Sequence, residues 1–306
     1  MLFLDGVGIG TDNASVNPLV VAELPALRAL LGGFPPVDGH RTYHDIRASL
    51  LPLDANLGVD GLPQSGTGQT ALFTGENGPA IAGRHFGPYP YSTLKPIIAE
   101  KNIFRRLQEA GASVCFANAF PDRFFAWAAR QRSRLTVTTL SCMTSGIPLA
   151  REQDLLGGRA VSADITGAGW HALGHPAVPV ISPQEAGRRL AALVSEHDFV
   201  LFEYWHTDHA GHHRNMEEAV DVLQRFDGML EGILSSLTMD DTLLFVTSDH
   251  GNIEDLSVKS HTRNPVPGIL AGAGHGVLAE KLRATPSGGD LTQVTPLLVD
   301  HIVHHQ

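Results

Sequence analysis

Residues 199–213 read Phe-Val-Leu-Phe-Glu-Tyr-Trp-His-Thr-Asp-His-Ala-Gly-His-His. The run from Phe199 to Glu203 is short and apolar, and it stops where acidic, imidazole and hydroxyl side chains crowd together. A strand buried on both faces of a parallel sheet reads this way, with no alternation and an abrupt polar end. The pattern recurs at Leu2 to Leu4, Ser113 to Ala117, Thr242 to Thr247 and Gly268 to Ala271. Helical spacing occupies the intervals: Leu94 to Ala110, stopped by Gly111, then Pro183 to Glu196, Met216 to Leu234 and Thr292 to Val303. Strand alternating with helix predicts an α/β fold with a mainly parallel central sheet flanked by helices.

Residues 121–179 break that rhythm. The stretch is rich in Arg, Thr, Ser and Gly (Arg123, Arg130, Arg132, Arg134 and Arg159 among them) and shows no clear strand–helix alternation. The expected organisation is a core made of residues 1–120 and 180–306, with 121–179 as a small cap inserted over one end of the sheet.

Bulk composition narrows the function. The net charge of −10 argues against nucleic acid or an anionic membrane as partner, although bound cations would still allow a phosphorylated ligand. Two cysteines, Cys115 and Cys142, support neither a disulfide framework nor a thiolate metal site. The opening Met1-Leu2-Phe3-Leu4 reaches Asp5 without a basic start or long apolar run, and no stretch approaches the ~20 apolar residues of a membrane helix. The expected location is the cytoplasm. Histidine stands out at 16 residues, and several sit in tight groups with aspartate.

Ligands of open α/β sheets bind beyond the carboxyl ends of strands, which is where these groups fall. Asp5-Gly6-Val7-Gly8 puts a carboxylate at a strand end, with glycines that let a metal approach; the glycine spacing does not make a dinucleotide fingerprint. Asp208 and His212 are four apart, so one helical turn places both on one face, a pairing suited to zinc or manganese. Asp249 and His250 are adjacent and would serve one site only if the chain turns there, as Gly251 permits. His261 precedes the bend at Pro265. Pro63 to Thr70, with Ser65 and Thr67, leads into an apolar run like a helix N-terminus, where an anion is favoured and a hydroxyl could attack phosphorus.

Together D-G-x-G, S-x-x-G-x, D-x-x-G-H, D-H-G-N and H-T-x-N-P-V-P, in this order, resemble the alkaline phosphatase superfamily, in the branch of cofactor-independent phosphoglycerate mutase and phosphopentomutase. The resemblance covers about residues 1–80 and 195–306. It implies that Asp208, His212 and His261 hold one divalent cation and Asp5, Asp249 and His250 a second, Mn or Zn. Ser65 would be the nucleophile between them and a ligand itself. Arg84, His85 and Arg263 are candidate substrate contacts. Where the mutases carry S-E-V-G-H, this chain has Ser65-Gly66-Thr67-Gly68-Gln69, and its middle segment is far shorter than the mutase substrate domain. The expectation is therefore a two-metal phosphatase-like enzyme that acts on a small phosphate ester through a phosphoserine. A phosphomutase and a catalytically inactive metal-binding protein are the alternatives.

Overall fold

The computed structural model describes residues 1–33, 37, 42–285 and 288–304; the Arg132 side chain is outside what is described. Among the described residues nine strands are formed: β1 (Leu2–Leu4), β2 (Tyr43–His44), β3 (Ala48–Leu53), β4 (Val114–Phe116), β5 (Asn118–Ala119), β6 (Val161–Ser162), β7 (Phe199–Tyr204), β8 (Leu243–Thr247) and β9 (Val266–Gly272). Seven of them make one sheet in the order β2-β3-β9-β8-β1-β7-β4. Adjacent residues of β1, β7 and β8 face opposite ways. Leu2, Leu4, Val200, Phe202, Leu244 and Val246 pack under the 183–194 and 216–234 helices. Phe3, Leu201 and Phe245 pack on the other side with Phe73, Phe104 and Leu298. The result is a helix–sheet–helix sandwich, the α/β class expected.

The parallel half is β4, β7, β1 and β8. The other half corrects the expectation of a mainly parallel sheet, because β9 runs antiparallel to β8, and β3 antiparallel to both β9 and β2. The cause lies in the connections. A parallel return needs a crossover, usually a helix, whereas β8 returns to β9 through residues 248–265, which contain no helix.

The expected 94–110 helix is also two helices, Lys95–Lys101 and Ile103–Glu109. They part at Asn102, which is extended (ψ 154°) and whose side chain accepts from Arg105 N–H as the cap of the second. Residues 121–179 do contain regular structure: helices at Asp122–Arg130, Val137–Thr144, Glu152–Leu156 and Ala168–Ala172, and strand β6, which pairs in parallel with β5. Val137 and Cys142 of that segment join the main core, while Leu155, Ala160, Trp170 and Val178 form a small apolar cluster of their own with Ala119. Among the described residues no helix is long and apolar enough to cross a membrane.

Candidate two-metal site

Three loops beyond the carboxyl ends of β1, β7 and β8 meet the N-terminus of the Ser65–Thr74 helix. Asp5 follows β1, and its N–H still bonds to Tyr204 O (3.1 Å) before the chain turns at Gly6. Gly6 has φ +70°, and a Cβ there would stand 2.6 Å from Asp208 Oδ1. Only glycine satisfies both the backbone angle and that approach. The His206–His213 helix after β7 carries Asp208 and His212 on one face, as their spacing requires, with His212 Nε2 3.3 Å from Asp208 Oδ2. Beyond β8 the chain bends at 248–250, so Asp249 and His250 converge rather than diverge. His250 Nε2 lies 3.3 Å from Asp5 Oδ1 and 3.7 Å from Asp249 Oδ2.

Two groups of ligand atoms result, Asp5/Asp249/His250 and Asp208/His212/His261, each with its atoms within 4.8 Å of one another. Their chemistry fits cations. In the second group Nδ1 of His261 faces Pro63 O (2.8 Å) and Nδ1 of His212 faces Lys259 O (3.2 Å). A carbonyl only accepts, so both rings carry a proton on Nδ1, which leaves Nε2 of each turned inward as the atom available to a cation. Those two Nε2 atoms stand 3.2 Å apart, beside the Asp208 carboxylate. In the first group, Asp5 Oδ1 and Asp249 Oδ2 are buried without a hydrogen-bond partner. Buried carboxylate oxygens left unpaired are costly, and a divalent cation is the partner this arrangement fits.

The electrostatics agree. Burial and the Asp249 carboxylate push Asp5 well above the usual carboxylate range, and burial raises Asp249. Burial opposes a charge on His250, but Asp249 and Asp5 outweigh it and push the ring up to about 10. Burial, then the charge on His250, pushes His261 down to about 4, its ring stacked on that of His250 at 3.8 Å. Asp208 is held below the carboxylate range despite burial, through its hydrogen bond with His212 and the His250 charge. Protons thus stand where cations would, and loading the site would release them.

Ser65 opens its helix and is buried, with Oγ 3.0 Å from His250 Nε2. Thr67 is committed elsewhere, its hydroxyl donating to Gln64 O (3.1 Å) and accepting from Phe86 N–H (3.1 Å). Asp5, Ser65 and Asp208 lie on the wall of a cavity of about 1090 Å³. Arg84, His85 and Arg263 do not. Arg84 lies over the rings of Phe86 and Tyr91, the His85 ring contacts Val59 O, and Arg263 is exposed, its carbonyl accepting from Asn56. The arginines that do reach the cavity are Arg123, Arg134 and Arg225.

Other residues escaped the sequence reading. Gln69, one turn beyond Ser65, donates to Asp5 Oδ2 (3.2 Å) with its own Oε1 buried and unpaired. Helical spacing from Ser65 would have found it. Asn252 Nδ2 donates to Asp208 Oδ1 (2.6 Å). Glu254 accepts from Gly8 N–H (2.9 Å) and Asn252 N–H (2.7 Å) through Oε2, and from the Thr262 hydroxyl and the Asn264 amide through Oε1. It ties the first loop to the third, and nothing in the sequence separates it from a surface acid.

The family model described as Metalloenzyme superfamily matches residues 178–306. A 2,3-bisphosphoglycerate-independent phosphoglycerate mutase of Pyrococcus furiosus is 31% identical over 87 residues, 28% of this chain and 21% of that protein. The alkaline phosphatase of the Antarctic bacterium TAB5 covers 100% of this chain, and is itself covered to 98%, with a TM-score of 0.54 at 12% identity. Residues 178–306 thus match the Metalloenzyme superfamily, and the chain has the fold of alkaline phosphatase. The PH0037 protein of Pyrococcus horikoshii shares the fold, with a TM-score of 0.57, 13% identity, and coverage of 100% of this chain and 96% of that one. The sequence match spans about a fifth of the length of the curated mutase. Within the superfamily segment 178–306 fall Asp208, His212, Asp249, His250 and His261, while Asp5 and Ser65 reach the site from the first part of the chain.

Proposed function

We propose that this protein is a two-metal phosphatase-like enzyme that acts on a small phosphate ester through Ser65. The observation that carries the reading is the position of Ser65 Oγ, in the wall of the cavity and 3.0 Å from His250 Nε2, at the first turn of a helix beside both ligand groups. Asp5, Asp249 and His250 would hold one cation and Asp208, His212 and His261 the other, Mn or Zn, with Ser65 reaching them. Such ions lower the pKa of a nucleophile and neutralise the phosphoryl oxygens. The chain's own part is positioning. The helix N-terminus at Ser65 favours the anionic phosphate, Gln69 fixes the Asp5 carboxylate, and Asn252 fixes that of Asp208. Attack by the Ser65 oxygen on phosphorus expels the alcohol and leaves a phosphoserine, which water then cleaves.

Residues 1–120 and 180–306 are taken as the core and 121–179 as a cap, whose 137–144 helix rests on that core. The partner is a small phosphorylated molecule rather than nucleic acid or membrane, and the compartment is the cytoplasm, where free Cys115 and Cys142 would stay reduced. The mutase reading is favoured by one observation, the local identity to phosphoglycerate mutases. Against it stands the cavity wall, where three arginines are outnumbered by six aromatic side chains. Metal-loaded enzyme incubated with a phosphate ester, with free phosphate and isomerised ester followed in one time course, separates the two. Free phosphate leads in a hydrolase; isomer leading would establish the mutase.

A further inference from the structure

The cavity over Ser65 is larger than a three-carbon acid phosphate needs and is walled by rings. Its volume of about 1090 Å³ lies just above the usual range of small-molecule pockets, roughly 300–1,000 Å³. Tyr89, Phe120, Phe124, Trp127, Trp170 and Trp205 all contribute to its lining. Trp127, Trp170 and Trp205 are all the tryptophans in the chain. Phe120 and Phe124 lie 4.4 Å apart by ring centroids, and Trp127 continues the row 5.8 Å from Phe124.

A structural role accounts for part of this, since Phe120 also packs on the core beside Phe116, but most of the rings are not fully buried by it. The aromatic side chains that build the core, such as Phe3, Phe73, Phe104 and Phe116, are shut off from solvent. Tyr89, Phe120, Phe124, Trp127 and Trp205 stay partly exposed, facing a cavity whose far wall holds Asp5, Ser65 and Asp208. Half-exposed rings in a row at stacking distance are a surface for another ring. Arg123 and Arg134 line the same space, are exposed, and form no ion pair among the described residues, so they add positive charge that attracts an anionic ester.

We infer that the cavity accepts a phosphate monoester whose organic part carries a planar aromatic body, held against the row Phe120–Phe124–Trp127 while the phosphate reaches Ser65. The inference rests on the phosphoryl-transfer reading, and its test keeps the two apart. Two esters with the same type of primary-alkyl leaving group, 2-(1-naphthyl)ethyl phosphate and ethyl phosphate, are offered to the full chain loaded with Mn. The naphthyl ester is expected to have the higher kcat/KM. Trp127→Ala lowers its kcat/KM on the order of tenfold, mainly through KM, and leaves ethyl phosphate nearly unchanged, while Trp127→Phe restores most of the loss. Binding of the naphthyl ester to Mn-loaded Ser65→Ala, read by calorimetry with and without Trp127→Ala, measures the pocket without turnover. Equal efficiency with both esters, together with binding indifferent to Trp127→Ala, overturns the inference and leaves the reaction standing. Binding that depends on Trp127, with neither ester cleaved by the wild type, upholds the pocket and overturns the reaction.

Discussion

Replacing Glu203 by Gln in chelator-treated protein isolates one buried charge. Glu203 is the next-to-last residue of β7 and is 6% exposed, with Thr138 Oγ1 donating to its Oε2 at 2.7 Å. Burial raises its carboxyl from 4.5 to about 7, partly offset by that hydrogen bond. A carboxyl whose folded pKa exceeds its unfolded one gives its full contribution below the unfolded value, near pH 4.5. That contribution is lost as the pH climbs through about 7, because only the unfolded chain gives up the proton freely. At ~1.4 kcal/mol per pH unit the loss approaches roughly 3 kcal/mol above pH 8. Gln keeps the acceptor for Thr138 and has no proton to lose. Its stability relative to wild type should therefore rise with pH, from near zero or slightly negative at pH 4.5 to as much as ~3 kcal/mol at pH 8. In a domain of this size that is about 6 °C in Tm, at ~2 °C per kcal/mol. Urea unfolding and thermal melts of both proteins at pH 4.5, 6, 7 and 8 measure the difference, from which titrations common to both proteins cancel. A difference that stays flat across this range would refute the reasoning, since it would mean Glu203 ionises alike in folded and unfolded chains.

Ser65→Ala should lower phosphate-ester turnover by at least ~10³-fold, while Thr67→Ala keeps most of the activity and loses about 1–3 kcal/mol of stability with its two buried hydrogen bonds; the opposite pattern in initial rates would transfer the role to Thr67. Metal analysis after equilibration with excess Mn or Zn should approach two equivalents per chain, with Asp208→Ala and Asp249→Ala each retaining only one. Chelation should lower the melting temperature, because an ion at 100–1,000 times its Kd contributes ~3–4 kcal/mol to the folded state, and identical melts with and without chelator would speak against resident cations. Gly6→Ala places a methyl 2.6 Å from Asp208 Oδ1 at φ +70°, so it should cost more than ~1 kcal/mol and weaken metal binding, as calorimetric titration would show.

The chemistry was more legible than the sheet. Asp208 and His212 announce themselves because four residues make a helical turn, and β1, β7 and β8 because buried parallel strands are unbroken apolar runs. The antiparallel half was hidden by proline. Pro52 in β3 lies opposite Pro267 in β9, and a proline ordinarily argues against a strand. Among the described residues β2 pairs with Ser49 and Leu50. The break at Asn102 was masked by apolar spacing that runs on through both helices, although an asparagine is a good cap. The meeting of Asp249 with His250 depends on a bend that adjacency alone does not reveal. Phe120, Phe124 and Trp127 follow one another at helical spacing, but their meeting with Tyr89 and Trp205 was unreadable, because those two are distant in sequence and join them only across the folded cavity.

Glu254 gives the ligand loops a common anchor, while much of the opposite wall of the cavity, with Phe120, Phe124, Trp127 and Trp170, is hung from residues 120–173 and the rest from Tyr89, Trp205 and Arg225. Reactivity and taste therefore occupy largely different stretches of chain. A descendant could exchange one wall for another and inherit the same reactive floor, because no bond of Glu254 reaches into that wall. Grafting is the laboratory form of that history. Residues 120–173, exchanged for the corresponding insert of a relative, should redirect which esters are accepted while the metal content of the protein stays as it was.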